Sequence, residues 1–257
     1  MIKVAVCGGL GRMGQEVVKA VEAADAMQLS AIIDLHATGK DVNSGVTIYK
    51  TLSDAISENQ INVVVDFTVP DSVYKNAIDS LSNGIRPVIG TTGLSTAQLK
   101  EIELLAKEKN LGALIAPNFA IGAILMMKFS ALASKYFANA EIIELHHNQK
   151  KDSPSGTAIK TAEMMKQARD EFGTDNIEEI EIIKSARGAE HDGNIHIHSV
   201  RLPGYVASQE VIFGGQGQTL KIRHDSIDRT SFMPGVVLSI RHVMSNNNFV
   251  YGLENIL

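Results

Sequence analysis

A single cysteine, Cys7, in 257 residues excludes an intrachain disulfide and a cysteine-built metal cage, and it fits a reducing compartment. In an apolar run such a residue is expected to serve as a small buried strand side chain. Basic excess is missing as well: the net charge is −5, so neither nucleic acid nor an anionic membrane surface is the expected partner, and a small molecule is. No apolar run reaches the length of a membrane span. The opening MIKVAVCGGLG leads directly into a folded pattern instead of a signal peptide's apolar stretch and cleavage site, so a cytoplasmic location is expected. Repeats and low-complexity tracts are also absent. What remains is an ordinary globular composition, 44% hydrophobic and 21% charged, enough for one large domain or two smaller ones.

The pattern of the first half is an alternation. Residues 2–7 (IKVAVC) form a β-rich run, glycines follow, and RMGQEVVKAVEAA puts Val17, Val18 and Val21 on one helical face. Strands are expected near 28–34, 61–67 and 86–90 and in LGALIAP, ending at about 117, with helices from about 71 and near 95–109. Near-continuous apolar strands alternating with helices predict a doubly wound parallel sheet covered on both faces. Beyond Asn118 the rhythm changes: a long helix over about 121–137, the strand AEIIELHH, a helix from about 156, then strand-like runs at 178–184, 194–201, 208–213 and 218–224. These runs predict a second, α+β domain with an open mixed sheet. The closing SFMPGVVLSIRHVM reads as a helix.

GGLGRMG contains Gly9-x-Gly11-x-x-Gly14 between a strand and a helix. In that setting the first glycine allows a tight turn, the second lets main chain approach a pyrophosphate, and the third allows close helix–strand packing, while the helix start supplies N–H donors. Asp34 ends the next strand, where an acid would meet the ribose hydroxyls. A βα turn with no ligand and a surface aspartate would also produce the pattern, but strand, loop, helix and acid agree. Asp34 favours NADH, and Arg12, His36 and Lys40 could offset its charge enough for NADPH to be usable. DFTVP, which includes Thr68, and GTTG lie where an open α/β sheet presents ligand-facing loops, although each is ordinary loop composition.

ELHHNQKKDSPSGTA, residues 144–158, is the most unusual stretch. His146 and His147 should point to opposite sides if the strand runs through them. Ser153 with Pro154 in the first helical position, or Ser155, can cap the next helix; both leave Ser155, Gly156 and Thr157 around its unsatisfied N–H groups, an anion site. Gly156 is unfavourable inside a helix but lets a ligand approach main chain. A carboxylate held there would lie near Lys150 and near a histidine suited to proton transfer at neutral pH. A solvated basic loop before a capped helix accounts for the same residues. His196 and His198 in HDGNIHIH share a strand face, but with His191 across a turn and no cysteine or acid completing a ligand set, no metal site is expected.

With these motifs in view the chain resembles, over essentially its whole length, the dihydrodipicolinate reductase family, the 4-hydroxy-tetrahydrodipicolinate reductases of bacterial lysine biosynthesis. The resemblance rests on VAVCGGLGRMG, DFTVP, GTTG, APNFAIG and above all ELHHNQKKDSPSGTA. It implies that His146 and Lys150 are catalytic and that His147, Ser155, Gly156 and Thr157 bind the substrate, a small-molecule dicarboxylate. It implies nicotinamide-cofactor contacts at Gly8, Gly9, Leu10, Gly11, Arg12, Met13, Asp34, Thr68, Gly90, Thr91, Thr92, Ala116, Pro117, Asn118 and Phe119. It further implies a dinucleotide-binding domain of residues 1–117 and 229–257, a substrate-binding and oligomerisation domain of residues 118–228, and a homotetramer. Leu35 stands where many relatives carry arginine or lysine, which again favours NADH over NADPH. Two rivals remain: another NAD-dependent amino-acid or semialdehyde dehydrogenase, which would share the glycine loop without the histidine–lysine stretch, and a non-catalytic NAD(H) sensor.

Overall fold

The computed structural model describes residues 1–37, 39–41, 43–173, 180–191 and 193–257. They form two compact units, Met1–Phe119 with Phe232–Leu257, and Ala120–Ser231. Along the first unit run β1 (Ile2–Cys7), α1 (Gly14–Ala23), β2 (Met27–Ile33), β3 (Gly39–Lys40), β4 (Thr47–Tyr49), α2 (Leu52–Glu58), β5 (Val63–Asp66), α3 (Pro70–Ser82), β6 (Arg86–Ile89), α4 (Thr96–Lys109) and β7 (Ala113–Ile115). The second unit holds α5 (Ile121–Ser134), β8 (Asn139–His146), α6 (Gly156–Ala168), β9 (Ala189–His191), β10 (Ile195–Arg201), β11 (Ala207–Gly215) and β12 (Gln218–Ser226). The chain then returns to the first unit as α7 (Met233–Ser245) and β13 (Phe249–Tyr251).

The first unit's sheet has the order β13-β7-β6-β5-β1-β2-β4-β3, parallel except for the β3–β4 edge. Period-two alternation divides its apolar side chains between two layers. Ala5, Cys7, Ile33 and Val64 cluster with Leu52 and Ala55 of α2, and Ile89, Ala113 and Ile115 cluster with α3 and α4. On the opposite face α7 packs against β5, β6, β7 and α1. A helix can lie so close to the sheet because two glycines lack Cβ atoms: one on Gly112 would stand 2.2 Å from the Asn246 carbonyl oxygen, and one on Gly235 would stand 2.0 Å from that of Phe119. The strand order reverses direction between β1 and β5, the crevice where open α/β sheets bind ligands.

The second unit's sheet has the order β12-β11-β8-β10-β9, with β8 and β10 parallel and the remaining pairs antiparallel. Ile142, Ile195, Ile197, Val211 and Phe213 point to one face and form a core with Ala133 of α5 and Ala158, Ala162 and Met165 of α6. The alternate residues, among them Ile143, Leu145, His196, His198, Val200 and Ile212, point away from these helices.

Several sequence expectations need correction. Residues 180–184 are not a strand; the exposed Ile180, Ile182 and Ile183 have no sheet neighbour among the described residues, and the remaining positions of that run, 178–179, lie outside them. The long helix ends at Ser134, after which Phe137 turns back to pack on Phe213 with ring centroids 5.7 Å apart. Short elements went unread: α2, capped by Thr51 accepting from the Asp54 N–H, and β3, β4, β9 and β13, strands of two or three residues that only their neighbours define.

Candidate active site

In the first unit the strand ends are in register. Cys7 pairs with Ile33 and Asp66, Asp66 with Ile89, and Ile89 with Ile115. The segments that follow, starting at Gly8, Asp34, Phe67, Gly90 and Ala116, therefore emerge side by side at the carboxyl edge. Gly8, not Gly9, makes the left-handed turn, with φ +75°, and a Cβ there would stand 2.5 Å from the Phe67 carbonyl oxygen. Gly9 is needed for packing instead, since its Cβ would meet the Ile32 side chain at 2.6 Å. Gly14 seats α1 on the loop, its Cβ direction lying 2.0 Å from the Gly8 carbonyl oxygen, while Gly11 and Arg12 are exposed. Asp34 is tied to the loop, accepting from the Leu10 N–H at 3.3 Å and the His36 N–H at 3.1 Å. Lys40 lies on β3, two strands away from β2.

Asp66, 1% exposed, organises the neighbouring loops, a role that reading DFTVP as a ligand-facing loop missed. Its Oδ1 accepts from the Thr68 N–H at 2.9 Å and from the hydroxyls of Thr68 at 2.7 Å and Thr91 at 2.9 Å, and its Oδ2 accepts from Asn76 at 2.8 Å. Thr68 and Thr91 therefore turn their hydroxyls inward, while Thr92 and Pro117 are exposed. Gly90 packs on the ring of Phe67, which stacks at a tilt on Phe119, centroids 5.7 Å apart. Ala116 extends the sheet's pairing to the Ile89 carbonyl, and Asn118 is half-buried. Burial, followed by the nearby Asp66 charge, pushes the Cys7 thiol up, so it stays protonated among apolar neighbours. An edge of this kind, glycine turn, helix start and strand-end acid, can hold a dinucleotide.

In the second unit the unusual stretch is organised by a carboxylate. Glu144 and His146 share a face of β8, and Arg201 is the register partner of His146 on β10. Glu144, 0% exposed, accepts from His146 Nδ1 at 2.5 Å, from Arg201 Nη1 at 2.8 Å and Nη2 at 2.7 Å, and from the Ser155 N–H at 3.2 Å. Burial raises the pKa of Glu144, but the hydrogen bonds from His146 and Arg201 outweigh it and hold the group down to about 2. The strand, Arg201 and the start of α6 thus meet on one buried charge. Neither Glu144 nor Arg201 had been assigned a role from the sequence.

Ser155 is the cap, its Oγ accepting from the Ala158 N–H at 3.1 Å, and α6 starts at Gly156. Pro154 is therefore outside the helix, preceded by a cis peptide, and Ser153 is not the cap. Thr157 is half-buried, and a Cβ on Gly156 would meet nothing within 4 Å. His147 follows the last strand residue, is exposed, and accepts the Gln149 N–H on Nδ1 at 3.2 Å. Lys150 Nζ donates to both oxygens of Asp152, at 2.8 and 2.7 Å. That bond lowers the pKa of Asp152, whose carbonyl in turn accepts from Arg201 at 2.8 Å. Away from this cluster, His198 pairs with Glu141 at 2.7 Å.

A Rossmann-type unit joined to an α+β unit is the architecture of two-domain nicotinamide-dependent oxidoreductases, and the fold of a probable dehydrogenase from Thermotoga maritima matches it (TM-score 0.67, 14% identity, 99% of this chain and 92% of that one). Within that class the chain belongs to the dihydrodipicolinate reductase family, which uses a nicotinamide cofactor: the family's N-terminal model matches residues 2–119 and its C-terminal model residues 122–257. It is 51% identical over 263 residues to the 4-hydroxy-tetrahydrodipicolinate reductase of Listeria monocytogenes serotype 4b (strain CLIP80459), covering 100% of both chains. Identity to the enzyme of that name from Streptococcus thermophilus (strain CNRZ 1066) is 52% over 256 residues, 100% of this chain and 99% of the other. A dipicolinate-bound dihydrodipicolinate reductase from Paenisporosarcina sp. TG-14 superposes with TM-score 0.91 at 47% identity, covering 100% of each chain. Among the described residues no helix is long and apolar enough to cross a membrane.

Proposed function

We propose that this chain reduces the dehydrated form of 4-hydroxy-tetrahydrodipicolinate to tetrahydrodipicolinate, a step of diaminopimelate and lysine synthesis, using a reduced nicotinamide dinucleotide. The observation that carries this reading is the Glu144 cluster, which joins His146 to the start of α6. The fold has no steric need of a glycine at 156, although glycine costs a helix about 1 kcal/mol relative to alanine. A carboxylate approaching the main chain there supplies the missing reason. The Paenisporosarcina relative is described as dipicolinate-bound, and dipicolinate is itself a ring dicarboxylate.

In this reading the cofactor lies against Gly8 to Met13, Thr68, Gly90 to Thr92 and Ala116 to Phe119, with Asp34 accepting from ribose hydroxyls. NADH is preferred, because Leu35 is the exposed residue after that acid and offers a 2′-phosphate no cation; NADPH remains usable. When bound, the reduced nicotinamide supplies the hydride that its conjugated substrate ring takes up. His146 supplies the balancing proton from Nε2, since Nδ1 is committed to Glu144. His147, with Nδ1 accepting from Gln149, keeps its proton on Nε2 and is a donor to substrate oxygen. Lys150 exchanges Asp152 for a substrate carboxylate, and Ser155, Gly156 and Thr157 hold the carboxylate at the helix start.

We further infer a cytoplasmic homotetramer, with the first unit binding the dinucleotide and the second binding substrate and building the assembly. Support for assembly comes from the second sheet, whose side opposite α5 and α6 presents Ile143, Leu145, Val200 and Ile212. The test follows NADH oxidation with pyruvate, aspartate semialdehyde and an added synthase that condenses them, with NADPH in parallel. Turnover that needs every component and collapses in His146→Gln is expected. NADH binding without oxidation would overturn the reading in favour of a sensor or a different dehydrogenase.

A further inference from the structure

Within the second unit, Glu144 holds more of the surrounding structure than any residue the proposed chemistry uses. Its carboxylate receives the His146 ring, the Arg201 guanidinium through two nitrogens, and the first N–H before α6. Arg201 also donates to the carbonyls of Asp152 at 2.8 Å and Val200 at 2.7 Å, so one carboxylate fixes the strand bearing His146, the loop bearing Lys150 and the helix start bearing Gly156.

We propose that Glu144 is a positioning residue of the reaction, acting through His146, with Arg201 fixing the plane of its carboxylate; the proposal rests on the assignment of His146 above. A histidine that donates from Nδ1 to a fixed carboxylate has one nitrogen left for proton transfer. Releasing the Nε2 proton leaves the neutral ring in the Nδ1–H tautomer, still bonded to Glu144, so neither ring nor partner has to reorganise. Without the carboxylate the ring is free to turn, and the tautomer with Nε2–H and a bare Nδ1 competes. The bidentate bond to Arg201 leaves Glu144 no freedom to follow a moving ring.

The test compares wild type, Glu144→Gln, His146→Gln and the double variant in the coupled NADH assay. Glu144→Gln is expected to lower kcat at least about a hundredfold with KM and the NADH dissociation constant changed less than about threefold. In the His146→Gln background it should cost less than about twofold, because the two residues act as one unit. Glu144→Gln with near wild-type kcat beside an inactive His146→Gln would overturn the proposal and leave the functional reading standing. An equal loss in both backgrounds would overturn it too, since it marks a structural role. Wild-type kcat in His146→Gln would instead sink the assignment of His146 as proton donor, and this proposal with it, while the reduction itself would stand. If Glu144→Gln does not fold, the ¹⁵N spectrum of histidine-labelled wild type decides: an Nδ1–H tautomer for His146 supports the proposal, and an Nε2–H tautomer defeats it.

Discussion

In the Rossmann unit the loop from Gly8 to Gly14 takes its shape from missing Cβ atoms and main-chain contacts, whereas around His146 the shape comes from hydrogen-bonding side chains gathered on one buried carboxylate. The first construction is steric. It has no proton to lose and little response to pH, but a single added methyl meets main chain at 2.0 to 2.5 Å at Gly14 and Gly8. The second is electrostatic, dependent on every partner of Glu144 keeping its charge or its donor. The division suits the proposed work, since a pyrophosphate needs an unobstructed row of N–H groups and a proton transfer needs a group whose charge changes.

The largest effect that would sharpen this contrast is in turnover. His146→Gln should lower kcat by about 10²- to 10⁴-fold, the usual range for a lost general acid, while NADH affinity, read by fluorescence titration, stays at wild type. Parallel loss of NADH binding would show that the steric and electrostatic halves are not independent, and the comparison would fail.

Two glycines then separate a residue the fold requires from one it does not. Gly14→Ala should lower stability by about 1–3 kcal/mol or more, the cost of forcing a methyl into a filled space, with a fall in Tm and weakened NADH binding. Gly156→Ala should raise stability by about 0.5–1 kcal/mol, because a Cβ there has open space and alanine favours the helix, yet raise the substrate KM about tenfold or more through obstruction at the carboxylate site. Thermal melts and steady-state kinetics on both variants decide it. An unchanged KM in Gly156→Ala would remove the carboxylate from the start of α6.

The same difference explains what could be read from the chain. The glycine loop is local: three glycines, a strand before and a helix after lie between Ile2 and Ala23, and such sterics repeat wherever that turn is made. Even so, the left-handed turn falls on Gly8, ahead of the motif's first glycine. The histidine–lysine stretch was visible as an anomaly, but its organising pair was not. Glu144 reads as one polar residue in an alternating strand, and Arg201 lies 57 positions further on; only the parallel β8–β10 register sets it opposite His146. Asp66 was hidden for a related reason, because an acid after an apolar run reads as ligand-facing until donors from Thr68, Asn76 and Thr91 are seen to close over it.

Acid should dissect the electrostatic half without touching the steric one. The pKa of Glu144 is lowered from 4.5 to about 2 in the folded chain, so the native carboxylate stays ionised where the unfolded one has taken up a proton. Its contribution, up to about 3 kcal/mol, is complete above pH 4.5 and disappears as pH falls toward 2. The stability gap between wild type and Glu144→Gln should therefore shrink across that window in denaturant melts, while the gap for Gly14→Ala stays level. A Glu144→Gln gap that does not change with pH would mean that the carboxylate contributes packing and not charge.

The smallest expected effect asks whether the steric half contains an electrostatic element of its own. Asp34 bonds the Leu10 N–H through one oxygen and the His36 N–H through the other, so Asp34→Asn keeps an acceptor for the loop while removing the negative charge. A carboxylate beside the adenine ribose repels a 2′-phosphate by about 1 kcal/mol or less at the dielectric of an exposed cleft. The substitution should therefore raise kcat/KM with NADPH relative to NADH by about fivefold, with the substrate KM unchanged because the Glu144 cluster is untouched. If the cofactor ratio holds while NADH binding weakens, Asp34 works through the loop bond to Leu10, and the first half of the site is steric throughout.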